Sequence, residues 1–246
     1  MNMKLTVIGC WGGYPKKNEA SSGYLLEHDG FKLLIDCGSG VLSKMQNFVQ
    51  PEQLDALVLS HYHPDHNADI GVLYHARLIQ GFLGKKPPVL PIYGHNLDQA
   101  EFSKLTYKNV TTGVAYQLDQ TLEVGPFRIT FLRTVHPVPC FAMRIEVEGK
   151  VLVYTADTAY KEEFTDFSRN ADVLLCECNF YGQQSGKGAG HMNSFDTGKL
   201  ASLAEVKRLV LTHLPHYGDL NQLLEEAKQK YNGPIQLAHE GLTISL

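Results

Sequence analysis

The sequence predicts an α/β protein built as a four-layer α/β/β/α sandwich, two sheets each covered by helices on its outer side. Three observations predict it. Short apolar or β-branched runs dominate the first third. A middle stretch, residues 114–155, returns to strand-like patterning. Each β-rich block is followed by alternating helix and strand signals. A chain of 246 residues, 43% of them hydrophobic, carries enough apolar material for a full core. No linker rich in Pro, Ser or charge and no repeat interrupts it, so one domain over residues 1–246 is expected.

Taken in order, residues 1–10 read as a first strand, with Lys4–Gly9 as its apolar run. Residues 23–27 and Phe31–Ile35 flank Asp29-Gly30, a strong hairpin cue. Residues 38–46 form a short helix, and 56–59 a fully apolar strand that stops at Ser60. From 66 to 80 the positions Ile70, Leu73, Ala76 (or Arg77) and Ile79 (or Gln80) recur at helical spacing, closed by Gly81 and Gly84. Pro87-Pro88 opens a strand over 89–93, and 95–105 reads as a helix. Gly125-Pro126 and Glu148-Gly149 supply turns within the 114–155 block. The last third alternates strand 172–176, a Gly-rich loop 182–190, helix Ser194–Leu203 with Ser194 as N-cap, strand 206–211, helix 220–230 and strand 235–238.

The formal charge of −4 provides no broad basic face, which argues against nucleic-acid binding driven by bulk electrostatics, while leaving room for a local strip such as Lys16-Lys17. Residues 1–10 lack an apolar signal region, and nothing later is long enough to cross a bilayer, so a soluble cytoplasmic protein without a membrane partner is expected. Five scattered cysteines make no disulfide framework. Cys176 and Cys178 share a strand face, but no second pair completes a zinc site, so they read as packed, reduced thiols.

The chemistry concentrates in His61-Tyr62-His63-Pro64-Asp65-His66, four ligand-type residues within six, directly after a buried strand. In an extended loop positions 61, 63 and 65 point one way, and His66 opens the following helix. One segment can therefore feed two metals, His61 and His63 to the first, Asp65 and His66 to the second. Pro64 fixes the loop's backbone.

This run resembles the HxHxDH signature of the metallo-β-lactamase superfamily, and the resemblance extends over nearly the whole chain. It implies that His136 completes the first site, that Asp157 bridges the two metals, that His213 completes the second, and that Asp36 acts beneath the site. It further implies two divalent ions, zinc first, with manganese or iron as alternatives. A shared water would lose its proton near neutral pH, with Asp65 accepting a hydrogen bond from it. Glu177 and His191 resemble the proton-donating pair of the tRNA 3′-processing endonuclease (tRNase Z) subgroup, where the His protonates the leaving oxygen and the Glu orients it. The opening loop, residues 9–18, is similar to that subgroup's glycine, proline and basic pattern and could bring backbone N–H groups and a lysine to a phosphate.

His28, His75, His95 and His216 lack partner spacing and read as surface or packing residues; His239 is expected at the pocket's edge without a catalytic role. His136 and Asp157 are only 21 positions apart, room for two strands and a turn but not for the subgroup's tRNA-gripping arm. The expected reaction is therefore hydrolysis of a small-molecule phosphodiester such as a cyclic nucleotide, not tRNA processing. The alternatives are a lactonase or thioesterase and a non-hydrolytic metal-binding module. A homodimer fits the resemblance.

Overall fold

The apolar runs of the first half pair into one mixed seven-stranded sheet, and those of the second half into another. The computed structural model describes residues 3–246; Met1 and Asn2, the start of the expected first strand, lie outside it. The chain divides into two compact units, one running up to Gln117 and taking in His239–Ser245, the other Leu118–Ala238 with Leu246. Each unit owns one sheet.

In the first unit, β1 (Lys4–Gly9), β2 (Gly23–His28), β3 (Phe31–Ile35), β4 (Ala56–Val58), β5 (Leu90–Gly94), β6 (Thr111–Ala115) and β14 (Thr243–Ser245) stand in the order β14-β1-β2-β3-β4-β5-β6. Pairing is antiparallel from β14 to β3 and parallel from β3 to β6. Helix α1 (Val41–Met45) and helix α3 (Ile70–Phe82) cover one face, where Val41, Met45, Ile70 and Leu73 pack on Ile8, Leu25, Leu34, Leu57 and Ile92. Between them lies α2 (Pro64–Asn67), and α4 (Gln99–Ser103) follows β5.

In the second unit, β7 (Leu122–Val124), β8 (Phe127–Arg133), β9 (Phe141–Val147), β10 (Lys150–Tyr154), β11 (Val173–Glu177), β12 (Leu209–Thr212) and β13 (Ile235–Leu237) follow in simple order across the sheet. Strands β7 to β10 are antiparallel, and β10 to β13 parallel. Helices α5 (Glu163–Phe167), α6 (Ser194–Leu203) and α7 (Leu220–Lys228) complete it. The interval between His136 and Asp157 holds β9, the Glu148-Gly149 turn and β10, as the spacing predicts.

Several local expectations give way to tertiary contacts. The helix expected over 66–80 is two helices, α2 and α3. The chain bends at Asp69, whose carboxylate accepts the Leu42 N–H at 2.9 Å while its own N–H donates to Cys37 O at 3.0 Å. On α3 the buried positions are Ile70, Leu73 and Arg77, whereas Ile79 is 53% exposed. The Arg77 guanidinium donates to the carbonyls of Pro51 (2.6 Å), Leu54 (3.3 Å) and Pro88 (2.6 Å), so a charged side chain fills the place of an apolar one. The helix expected over 95–105 shortens to α4, because Asp98 caps it by accepting the Glu101 N–H at 3.0 Å. Asn193, not Ser194, caps α6, accepting the Asp196 N–H at 2.9 Å, and the Ser194 hydroxyl instead donates to Glu226. Helix α5 and edge strand β14 were not expected; at five and three residues they are too short to show a period.

None of the five cysteines forms a disulfide, and all are buried. Burial pushes the Cys10 thiol up to about 12 and those of Cys37, Cys176 and Cys178 well above the ordinary thiol range, which keeps them protonated near neutrality. Among the described residues no helix is long and apolar enough to cross a membrane. Two outcomes are expected. A thiol-reactive disulfide reagent should label less than one thiol per native chain and all five after unfolding in guanidinium, counted by the released chromophore. Arg77→Ala, which strands three carbonyl acceptors, should lower the unfolding free energy in urea by about 3 kcal/mol.

Candidate metal centre

Five of the ten predicted site residues sit at or just beyond the C-terminal end of a parallel strand: Asp36 after β3, His61 after β4, Asp157 after β10, Glu177 at the end of β11 and His213 after β12. In open α/β sheets this edge is where ligands bind. At three of these ends the backbone turns through the left-handed region without glycine, at Asp36 (φ 55°), Ala156 (φ 50°) and His213 (φ 51°). Such residues persist only where the surroundings over-determine them, and they concentrate at functional sites.

In the first unit the motif His61–His66 folds around the buried Asp36 carboxylate. Asp36 Oδ1 accepts the Ser60 N–H at 2.7 Å; Oδ2 accepts the Ser60 hydroxyl at 2.8 Å and His66 Nδ1–H at 2.7 Å. With its proton given to Asp36, Ser60 Oγ accepts from His61 Nδ1, 3.0 Å away. The network therefore assigns the Nδ1–H tautomer to His61 and His66, so that Nε2 would be the atom either offers to a metal. His61 Nε2 and His63 Nδ1 converge to 3.1 Å, the crowding of two donors turned toward one point. Asp65 Oδ2 lies 3.5 Å from His66 Nε2 and accepts the Gly13 N–H at 2.7 Å. The opening loop thus places an amide on Asp65. Its Lys16 ammonium sits 4.4 Å from the centroid of the Trp11 ring.

In the second unit His136 Nε2 and His213 Nε2 lie 3.9 and 3.3 Å from Asp157 Oδ2. His136 Nδ1 donates to Gly190 O at 3.2 Å, so it too presents Nε2. That contact brings the Gly-rich loop flush against the histidine. A Cβ at Gly190 (φ +78°) would lie 2.8 Å from Pro137 Cδ and 3.0 Å from His136 Cα. Asn179 donates from its amide to the His213 carbonyl at 3.0 Å, which helps hold the left-handed turn there. Glu177 is fully buried, and its carboxylate accepts from Thr158 N (2.9 Å), His191 Nδ1 (2.9 Å) and Asn179 N (3.3 Å). The His191 ring stacks on His213 at 5.1 Å between centroids and meets His136 edge-on at 5.3 Å. Glu177 thus occupies His191 Nδ1.

The residues present in each unit fit a divalent cation. Imidazole nitrogens and carboxylates are the donor types that suit zinc, manganese and iron, and each assigned histidine keeps its second nitrogen on a protein acceptor, as metal-bound histidines do. Sequence reasoning did not single out Ser60, Asn179, Gly13 or Gly190. Only Ser60, polar at the end of an apolar strand, carried a local signal. His28 and His95 are buried and His75 is exposed, in keeping with packing and surface roles; His239 is exposed beyond β13.

Comparison with known proteins agrees with this geometry. The family model for a beta-lactamase superfamily domain matches residues 32–214. The chain is 55% identical over 239 residues to the probable metallo-hydrolase YhfI of Bacillus subtilis (strain 168), covering 97% of this chain and 98% of the relative. The crystal structure of YhfI, a metallo-beta-lactamase fold protein from Bacillus subtilis, matches at a TM-score of 0.99 and 52% identity over the whole of both chains. Human tRNase Z, short form, shares the fold at a TM-score of 0.77 and 21% identity over 99% of each chain. A diphosphatase from the PhnP family does so at 0.79 and 17% identity, over 100% of this chain and 98% of that one. Two mixed sheets with their helices make the metallo-β-lactamase fold, as the sequence predicts.

The Asp36 carboxylate holds Ser60 and His66, the groups that orient the motif histidines. Asp36→Asn, which keeps the shape and removes the charge, should weaken zinc binding by about 10- to 100-fold in competition with a chromophoric chelator. Circular dichroism should show the fold retained.

Proposed function

Because the chain belongs to the β-lactamase superfamily and is a metallo-hydrolase of it, we propose that it hydrolyses a small phosphodiester, such as a cyclic nucleotide. In this reading the motif order implies two divalent cations: His61, His63 and His136 would hold one, Asp65, His66 and His213 the other, and Asp157 would serve both. When bound, such a pair, zinc first among the candidates, would bring the pKa of a shared water close to neutrality.

The chain's own residues then divide the work. Asp65 accepts a hydrogen bond from the water and aims it, held by the Gly13 N–H. The water oxygen bonds to phosphorus, giving up one proton to solvent, and the bond from phosphorus to the leaving oxygen breaks. His191 passes the Nε2 proton to that oxygen and regains one from solvent. Glu177, on Nδ1, favours the charged ring that makes this possible.

The single observation that carries phosphodiester over acyl chemistry is the Glu177–His191 pair at 2.9 Å, with His191 stacked against His213. An alkoxide leaving group needs a proton donor at that place; an acyl hydrolase using the same ligands does not. The short β9–turn–β10 interval and the net charge of −4 support a small substrate over tRNA. The solved structures that share the fold include one named a diphosphatase and one named a tRNase, which is in keeping with chemistry at phosphorus.

The metal-loaded protein should turn over bis(p-nitrophenyl) phosphate and at least one cyclic nucleotide, with a lactone and a thioester inert. Asp65→Ala should abolish turnover. His191→Ala and Glu177→Gln should lower kcat on the cyclic nucleotide by about 10²- to 10⁴-fold, and less on the aryl ester, whose phenolate leaves without a proton. Inert diesters alongside a hydrolysed lactone or thioester sink the proposal. Full metal occupancy in all of His61→Ala, His136→Ala and His213→Ala would sink the ligand set.

A further inference from the structure

Beside His191 the second unit opens into a cavity of about 300 Å³, lined by Ala159, Tyr160, Ser185, Lys187, His191 and Asp196 among others. His191 is among its lining residues, so on the reading above a group that takes the His191 proton has this cavity beside it. At the lower end of the range of roughly 300–1,000 Å³ for small-molecule sites, it suits a compact group.

Its lining is of mixed charge. Lys187 brings a cation from the Gly-rich loop, Ser185 a hydroxyl, and Asp196 a carboxylate from the first turn of α6. Burial pushes the Asp196 carboxyl above the ordinary carboxylate range, against the opposing pull of the Lys199 charge. Asn193 adds little, since its side chain is spent on the Asp196 N–H and on Gln184 O. Tyr160 supplies an aromatic wall, with the Lys199 ammonium 4.4 Å from the ring centroid.

A second phosphate here would face the Asp196 carboxylate, a cationic group would face Lys187, and an apolar group would leave both charges desolvated. What satisfies all of them offers hydrogen-bond donors and acceptors together on a partly apolar frame. A sugar with adjacent hydroxyls does this.

Resting on the phosphodiesterase reading above, we infer that this cavity is the leaving-group subsite, where Lys187, Ser185 and Asp196 select a leaving group that is a sugar hydroxyl rather than a simple alcohol or phenol. They are specificity-determining residues and take no proton in the reaction.

The test has two readouts. With zinc-loaded protein, the ratio of kcat/KM for a 3′,5′-cyclic nucleotide over that for bis(p-nitrophenyl) phosphate should fall at least tenfold in Lys187→Ala and in Asp196→Asn, and recover in Lys187→Arg. An unchanged ratio in both variants overturns the inference. Separately, calorimetric titration should show adenosine binding at least tenfold tighter than adenine to the wild type, a preference lost in both variants. Equal binding of the two by the wild type also overturns it. A disturbed His191 would shift the kinetic ratio without moving the adenosine preference. Failure of every diester would overturn the reading of the reaction, while the binding titration would still decide the fate of the subsite.

Discussion

In both sheets four successive strands run parallel, β3 to β6 and β10 to β13, so their C-terminal ends fall along one edge. The chain must leave that edge abruptly, and several of the groups the proposed chemistry uses are on the residues that do so. Asp36, Ala156 and His213 make the turn in a left-handed conformation that costs an L-residue about 1–2 kcal/mol. Each is clamped. Asp36 N donates to Val58 O at 2.9 Å, Thr155 N to Leu175 O at 3.1 Å, and Cys178 N to Thr212 O at 2.8 Å. Neighbouring strands thus hold the bends, and the bends aim the side chains.

The second consequence is a need for buried charge. Asp36 and Glu177 have no exposed surface, and an isolated carboxylate in such a place would be prohibitively desolvated. Each accepts three donors, and among those donors is always a histidine Nδ1. The same hydrogen bonds that make the burial tolerable also choose the tautomer of the histidine. Stability and ligand orientation are one interaction here, so substitution at either carboxylate acts on both.

The Gly-rich loop between β11 and α6 plays a comparable double part. Gly190 turns a carbonyl onto His136, Lys187 and Ser185 line the cavity, and the loop ends at His191 beside Glu177. Only a residue without a Cβ lets the backbone come this close to His136, and Asn193 then starts α6 at a fixed place by capping it. A segment that looks like low complexity in composition is tightly determined at its C-terminal end.

By itself the sequence determined the elements whose signals are local. Strands Lys4–Gly9 and Phe31–Ile35 and helix Ser194–Leu203 carry their own periodicity, and the HxHxDH run declares its chemistry because four ligand types in six residues have few other uses. The ends of the strands announced Asp36, His136, Asp157 and His213 only through their order along the chain. What tertiary structure alone decided rests on partners far apart in sequence. Asp69 breaks a helix because Leu42 and Cys37 reach it, and Arg77 is buried because three loop carbonyls converge on it. Gly13, 52 residues away, supplies the amide that fixes Asp65. The left-handed turn at Ala156, a residue with no preference for it, exists because the surrounding strands impose it. The sequence names the groups of the proposed chemistry, and the fold sets which nitrogen of His61, His66, His136 and His191 is held by a protein acceptor.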